Sequence, residues 1–300
     1  MKGTATLLLA ASLSLTGSNT ALADDMFSDV EITPIKAGDG VYMLTGQGGN
    51  LGVSVGDDGV FLIDDQFAPL TGKILAAIAT LSDKAVRFVL NTHWHPDHTG
   101  GNENLGKAGV TLLAHDNVRK RLSVENFIEM FQMEAPALSK AGLPVITFND
   151  AITFHMNDSE IMAWHVEHAH TDGDAMVHFK QANVIHMGDT YFAGRYPFID
   201  TGSGGSVDGC IRAVNQALEI ADDKTVIIPG HGPISNRREL LAYRDMLAAV
   251  SGQIRTMLGK KATLDEVHAA WPTADYDEDY GGGTITSEKF VDMLYTDLSR

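Results

Sequence analysis

Four of the six residues in His93-Trp94-His95-Pro96-Asp97-His98 have side chains that can bind a metal through a nitrogen or oxygen. The run follows Val86 to Leu90, an apolar segment that reads as a buried strand. Pro96, Gly100 and Gly101 then mark a turn. Alternation at the strand end projects His93 and His95 together, while Asp97 and His98 turn toward a second position. One loop can therefore feed two metals. A lone H-x-H is weak evidence and reads first as a histidine-rich surface turn, but H-x-H-x-D-H behind a buried strand reads as a metal site.

With Thr99-Gly100-Gly101-Asn102 behind it, this run resembles the metal-binding signature of the metallo-β-lactamase superfamily, which includes β-lactamases, lactonases and glyoxalase II. The resemblance implies an α/β chain folded as a four-layer αββα sandwich with the metal site between two sheets. It also implies three further ligands. His170 in Ala169-His170-Thr171-Asp172-Gly173-Asp174 matches the third histidine, Asp189 in Met187-Gly188-Asp189-Thr190 the bridging carboxylate, and His231 in Pro229-Gly230-His231-Gly232 the last histidine. On spacing alone His168 is an equal alternative to His170, since both would share a strand face; the position before Thr171 and the glycine turn favours His170. The chain departs from β-lactamase subclasses that place a cysteine where Asp189 stands, and from redox branches that carry a glutamate at His95.

On this assignment His93, His95 and His170 give three neutral nitrogens for one catalytic zinc, and Asp97, His98 and His231 hold a second, with Asp189 between them. The expected complement is two Zn²⁺ per chain; iron or manganese suits the same donors. A metal lowers the pKa of bound water from about 16 to near 7, giving a bridging hydroxide able to attack an ester, thioester or amide carbonyl. Asp97 is the catalytic candidate, placed to hold and orient that water. The leading expectation is an exported dinuclear zinc hydrolase of a β-lactam or lactone ring. Alternatives are a thioesterase of glyoxalase II type or a mononuclear-iron dioxygenase on the same scaffold. A non-catalytic metal-binding protein is the reading from another class; it predicts a missing ligand, and none is missing. Trp94, Tyr191 and Arg195 are candidate substrate contacts, Arg195 for a carboxylate, with Phe192 and Tyr196 as further wall residues.

These residues need strands to deliver them. Val41-Tyr42-Met43-Leu44, Leu51 to Val55 and Val60 to Ile63 read as short β runs, the last two joined by a Gly56-Asp57-Asp58-Gly59 hairpin turn. Gly46 to Asn50 reads as a flexible loop that the resemblance places beside the metals. Asp64 and Asp65 end the third run, either as support for the metal shell or as ordinary turn formers. Thr71 to Leu81 has helical spacing through Ile74, Leu75, Ile78 and Leu81. Val110 to Ala114 reads as another buried strand, with His115 beyond it as a turn residue. Residues 123–144 read as an amphipathic helical insertion, packed as core or lying over the pocket. Ala151 to Met156, Ile161 to His168 and Ala175 to His178 read as strands, and Thr225 to Ile228 as the strand delivering His231. Long helices are expected from Val207 to Leu218 and from Asn236 to Leu258, and the acidic loop Tyr276 to Tyr280 reads as solvated.

Residues 1–23 carry Lys2, an apolar stretch around Leu7 to Ala11 and a small-residue end at Ala21-Leu22-Ala23, the pattern of a cleavable signal peptide. The stretch is too short and too interrupted for a permanent membrane anchor. A periplasmic or secreted protein is expected, with residues 24–300 forming one metallo-β-lactamase-like domain with C-terminal helices. The formal charge is −17, from 22 basic and 39 acidic residues. Loss of Lys2 leaves 21 against 39, or −18. Such a surface repels phosphate backbones, which argues against nucleic acid and for a small-molecule substrate. Cys210 is the single cysteine. It shares a helical face with Val207, Ile211, Val214 and Leu218 and reads as a small core thiol.

Overall fold

Strand Gly59–Ile63 shows how the layers arise. Successive side chains point to opposite faces, so Phe61 and Ile63 enter one apolar core while Val60 and Leu62 enter another. All four are fully buried, because this sheet is covered on both sides. The computed structural model describes residues 26–300. The expected signal peptide lies outside the described residues.

The first sheet has the strands β1 (Thr33–Gly38), β2 (Val41–Thr45), β3 (Leu51–Gly56), β4 (Gly59–Ile63), β5 (Val86–Asn91) and β6 (Thr111–His115). After β7 (Asn126–Ile128) and β8 (Met133–Ala135), which form a separate hairpin, β9 (Ile146–Phe148) closes its edge in the order β1-β2-β3-β4-β5-β6-β9. The second sheet runs in sequence order: β10 (Ala151–Met156), β11 (Ser159–His165), β12 (Ala175–Phe179), β13 (Val184–His186), β14 (Val226–Ile228) and β15 (Ser235–Asn236). Between the sheets, Phe61, Ile63, Leu90 and Leu113 pack with Ile161, Val177, Phe179 and Ile228. The helix Thr71–Ala79 covers the outer face of the first sheet through Ile74 and Ile78, with Leu62 and Val89 beneath. Helices Val207–Ile220, Arg237–Gly259 and Ser287–Leu298 cover the outer face of the second. The result is the expected αββα sandwich. No helix among the described residues is long and apolar enough to cross a membrane.

Local chemistry sets the boundaries. Gly56 pairs with Gly59 across the expected hairpin, and Gly59 takes φ +116°, which a side chain would resist. Asn236 and Ser206 cap the two long helices by accepting from the backbone N–H of Glu239 and Gly209. Cys210 is buried in the second of these helices, as its spacing indicates.

Four expectations need correction. Residues 123–144 hold the β7–β8 hairpin, with a short 3-10 turn at Glu129–Phe131 and Gln132 in the left-handed region, and then a loop with a second 3-10 turn at Lys140–Gly142, rather than an amphipathic helix. The alternation that decides this is only three residues long on each strand, too short to stand out among the Met and Phe residues. His168 shares no strand with His170: β11 stops at His165, and His168 turns outward at φ +51° to bond the Gly204 carbonyl. His115 ends β6, caps the next helix and stacks on His165 with ring centroids 3.7 Å apart. The Tyr276–Tyr280 loop is anchored, because Asp277 accepts hydrogen bonds from Tyr196 and Trp271.

Candidate metal centre

The parallel pairing of β4 with β5 sets Asp64, just past β4, beside Thr92, just past β5. Asp64 accepts from the Thr92 backbone N–H and hydroxyl at 2.7 Å each, and bonds His98 Nδ1 at 2.7 Å. It therefore fixes both ends of the histidine loop, which settles its role as a support rather than a turn former. Pro96–Thr99 forms one helical turn that swings Asp97 and His98 away from His93 and His95.

The remaining residues arrive on three other connections. His170 sits in the loop between β11 and β12, Asp189 in the 3-10 turn after β13, and His231 after β14. Two groups result. His93, His95, His170 and Asp189 offer donor atoms all within 4.8 Å of one another, and Asp97, His98 and His231 do the same. Asp189 joins them: its carboxylate lies 3.6 Å from His170 Nε2, 3.1 Å from His98 Nε2 and 3.3 Å from His231 Nε2.

Each histidine of the first group has one nitrogen committed elsewhere. His170 Nδ1 bonds the Phe198 carbonyl at 2.7 Å, His95 Nε2 bonds Asp200 at 3.0 Å, and His93 Nδ1 meets the Thr92 hydroxyl at 3.0 Å. These partners fix the ring orientation and leave the other nitrogen facing inward, as metal-ligating histidines require. His93 Nε2 is buried with no hydrogen-bond partner, a costly state for a polar atom unless a cation takes its lone pair. His95 Nδ1 and His170 Nε2 face each other at 2.9 Å. Zinc ligands about 2.1 Å from the ion lie roughly 3.4 Å apart around a tetrahedron. Three separations within the first group, 2.9, 3.6 and 3.8 Å, suit that geometry.

Electrostatics agree. Burial pushes the His93 imidazole well below its usual range and His170 to about 4, so both are neutral donors. At His98 burial opposes protonation, but Asp189, Asp97 and Asp64 outweigh it and raise its pKa well above normal. At His231 burial is likewise outweighed, by Asp189 and Asp97, and its pKa rises to about 9. The carboxylates around the second group demand positive charge, which a divalent cation supplies.

Gly49, in the loop expected beside the metals, lies flat against the His98 ring. A Cβ there would collide with the ring's Cε1, Nε2 and Nδ1. The Gly49 carbonyl is held at 2.6 Å by Gln66 Nε2.

Of the candidate substrate contacts, only Arg195 lines the cavity above the two groups. Trp94 is 1% exposed, its ring against His95 and under the Arg121 guanidinium. Tyr191 is 2% exposed and its hydroxyl bonds Ser235 at 2.7 Å. Both are packing residues. Phe192 and Tyr196 do line the cavity, together with Phe198, Ile128, Phe131, Met133 and Ile285. Sequence reasoning missed Asp200 and Phe198. The Asp200-Thr-Gly-Ser turn is a capping signal, with the Asp200 side chain accepting from Ser203, but nothing local ties it to a histidine 105 residues away.

Two curated relatives are hydroxyacylglutathione hydrolases. The one from Erythrobacter litoralis is 25% identical over 109 residues, 36% of this chain and 35% of its own length. The one from Polaromonas sp. is 26% identical over 184 residues, 59% of this chain and 60% of its own length. The chain thus spans about a third and three fifths of these relatives. Among solved structures, the DIM-1 metallo-β-lactamase superposes with a TM-score of 0.59 at 18% identity, covering 73% of this chain and 98% of that one. The sec-alkylsulfatase Pisa1 from Pseudomonas sp. gives 0.66 at 16% identity, covering 91% and 51%. These two likenesses are of fold. The family model of the metallo-β-lactamase superfamily matches residues 44–231, from β2 to the last histidine of the second group, and the chain belongs to that superfamily.

Proposed function

We propose that the chain is an exported dinuclear zinc hydrolase of an activated carbonyl, with a β-lactam or lactone ring as the leading substrate. The observation that supports this is the pair of donor groups joined by Asp189 and opening onto one cavity, where Asp97 and His231 are 27% and 20% exposed. His93, His95 and His170 would hold one cation, Asp97, His98 and His231 the other, with Asp189 shared. Divalent ions held there supply Lewis-acid polarisation of the carbonyl and activation of water at neutral pH.

The chain's own residues do the rest. Asp97 Oδ2, 3.3 Å from His231 Nε2, orients the attacking water and accepts its proton. The water oxygen bonds to the carbonyl carbon, the ring C–N or C–O bond breaks, and the proton passes to the departing nitrogen or oxygen. The buried walls of Phe192 and Phe198 exclude bulk water from this exchange. A thioesterase is the second reading, favoured by the two hydroxyacylglutathione hydrolase relatives.

The test is parallel assay of metal-loaded mature protein on nitrocefin, a homoserine lactone and a thioester. Ring opening supports the first reading, and thioester cleavage alone supports the second. Purified protein that takes up only trace metal, or one iron with dioxygen consumption, overturns both.

A further inference from the structure

The cavity above the two groups holds about 200 Å³. Pockets enclosing drug-sized ligands run to roughly 300–1,000 Å³, so this one admits a compact group. Ile128, Phe131 and Met133 of the β7–β8 hairpin form one wall, and Phe192, Phe198 and Ile285 complete it. Phe131 meets Phe198 edge-on at 5.0 Å, and Phe198 stacks on His95 at 5.7 Å. An apolar surface therefore runs from the mouth to the metal donors. Phe131 and Met133 are still 41% and 36% exposed at that mouth, area that a hydrophobic ligand would cover.

Arg195 also lines this cavity, half-buried, and among the described residues it makes no hydrogen bond or ion pair. The chain has 39 acidic residues against 22 basic ones, and Arg121, Arg244 and Arg255 each pair with a carboxylate. Gly283 packs on the Arg195 stem, where a Cβ would crowd its Cβ. A partly desolvated guanidinium without a counter-ion is a fork shaped for a carboxylate.

Resting on the hydrolase reading above, we propose that the substrate is a compact amphipathic anion. Its short hydrophobic acyl portion lies against Phe131, Met133 and Phe198, and a carboxylate remote from the scissile carbonyl pairs with Arg195. Neutral esters or lactones of the same size, and substrates with small hydrophilic acyl groups, bind less well.

Binding of slowly cleaved amides separates this inference from the hydrolase reading. Isothermal titration of metal-loaded protein would use N-hexanoylglycine, its neutral analogue N-hexanoylglycinamide, and N-acetylglycine. Hexanoylglycine is expected to bind about tenfold or more tighter than either. Arg195→Met should equalise hexanoylglycine and its amide, and Phe131→Ala with Met133→Ser should equalise hexanoylglycine and acetylglycine. Hexanoylglycine held by the metals instead would keep its advantage over the amide in Arg195→Met, and that result overturns the assignment, as does equal binding of all three probes by the wild type. If the binding pattern holds while the carbonyl panel shows no turnover, the hydrolase reading falls and the anion site stands. Turnover without the pattern has the opposite meaning.

Discussion

The two halves of the metal centre share one loop and one carboxylate yet are built to different ends. His93, His95 and His170 are buried, each with its outer nitrogen fixed by a protein partner, and burial keeps His93 and His170 uncharged. In the other half the carboxylates raise His98 and His231, and Asp97 and His231 face the cavity. The first half is arranged to retain a cation. The second is arranged to need one while remaining open to whatever enters. On the proposed reading the closed half only holds, and the open half also reacts.

Substitutions can test that division. The largest effect should come from Asp97→Ala, which removes the carboxylate facing the cavity: kcat is expected to fall by about 10²–10⁴-fold. Circular dichroism should show an unchanged fold, and metal analysis should still find the first ion; undiminished turnover would end the proposed role of Asp97. Asp64→Asn should come next. Asp64 bonds His98 directly and reaches His93 through Thr92, so affinity for both ions should drop by roughly 10–100-fold in chelator competition. Asp200→Asn should be milder, weakening by a similar factor only the ion held through His95. Loss of both ions in that variant would mean that the halves are not independent.

The smallest effect lies outside both halves. Burial, with help from the adjacent His165, lowers His115 to about 4, whereas an unfolded histidine titrates near 6.5. A depressed pKa contributes stability that is present above about 6.5 and is lost as pH falls through about 4, here on the order of 2 kcal/mol. His115→Asn keeps a capping side chain but cannot titrate. Urea unfolding at pH 7 and pH 4.5 should show a smaller acid loss in the variant than in the wild type; equal losses would leave His115 with no part in the acid limit.

The candidate ligands were legible from signals local in the chain: the histidine run follows an apolar segment, and Asp189 and His231 each follow one directly behind a glycine. The sheets were legible for the same reason: Leu51 to Val55 and Val60 to Ile63 alternate about a marked turn. What a local pattern omits is depth. Trp94 and Tyr191 stand within two residues of candidate ligands in sequence and so looked available to substrate, but the backbone turns both rings into the core. Asp200 and Phe198 were invisible for the converse reason, since they meet His95 only after the chain has crossed the second sheet. The β7–β8 hairpin escaped because strands of three residues carry too little periodicity to separate from a helix.

Gly49 has no side chain to offer a metal, yet the His98 ring occupies the space where any side chain at that position would stand. A relative could keep every coordinating histidine and aspartate and still be crippled by a single methyl group on this loop. Inventories of ligands alone would count such a protein as intact.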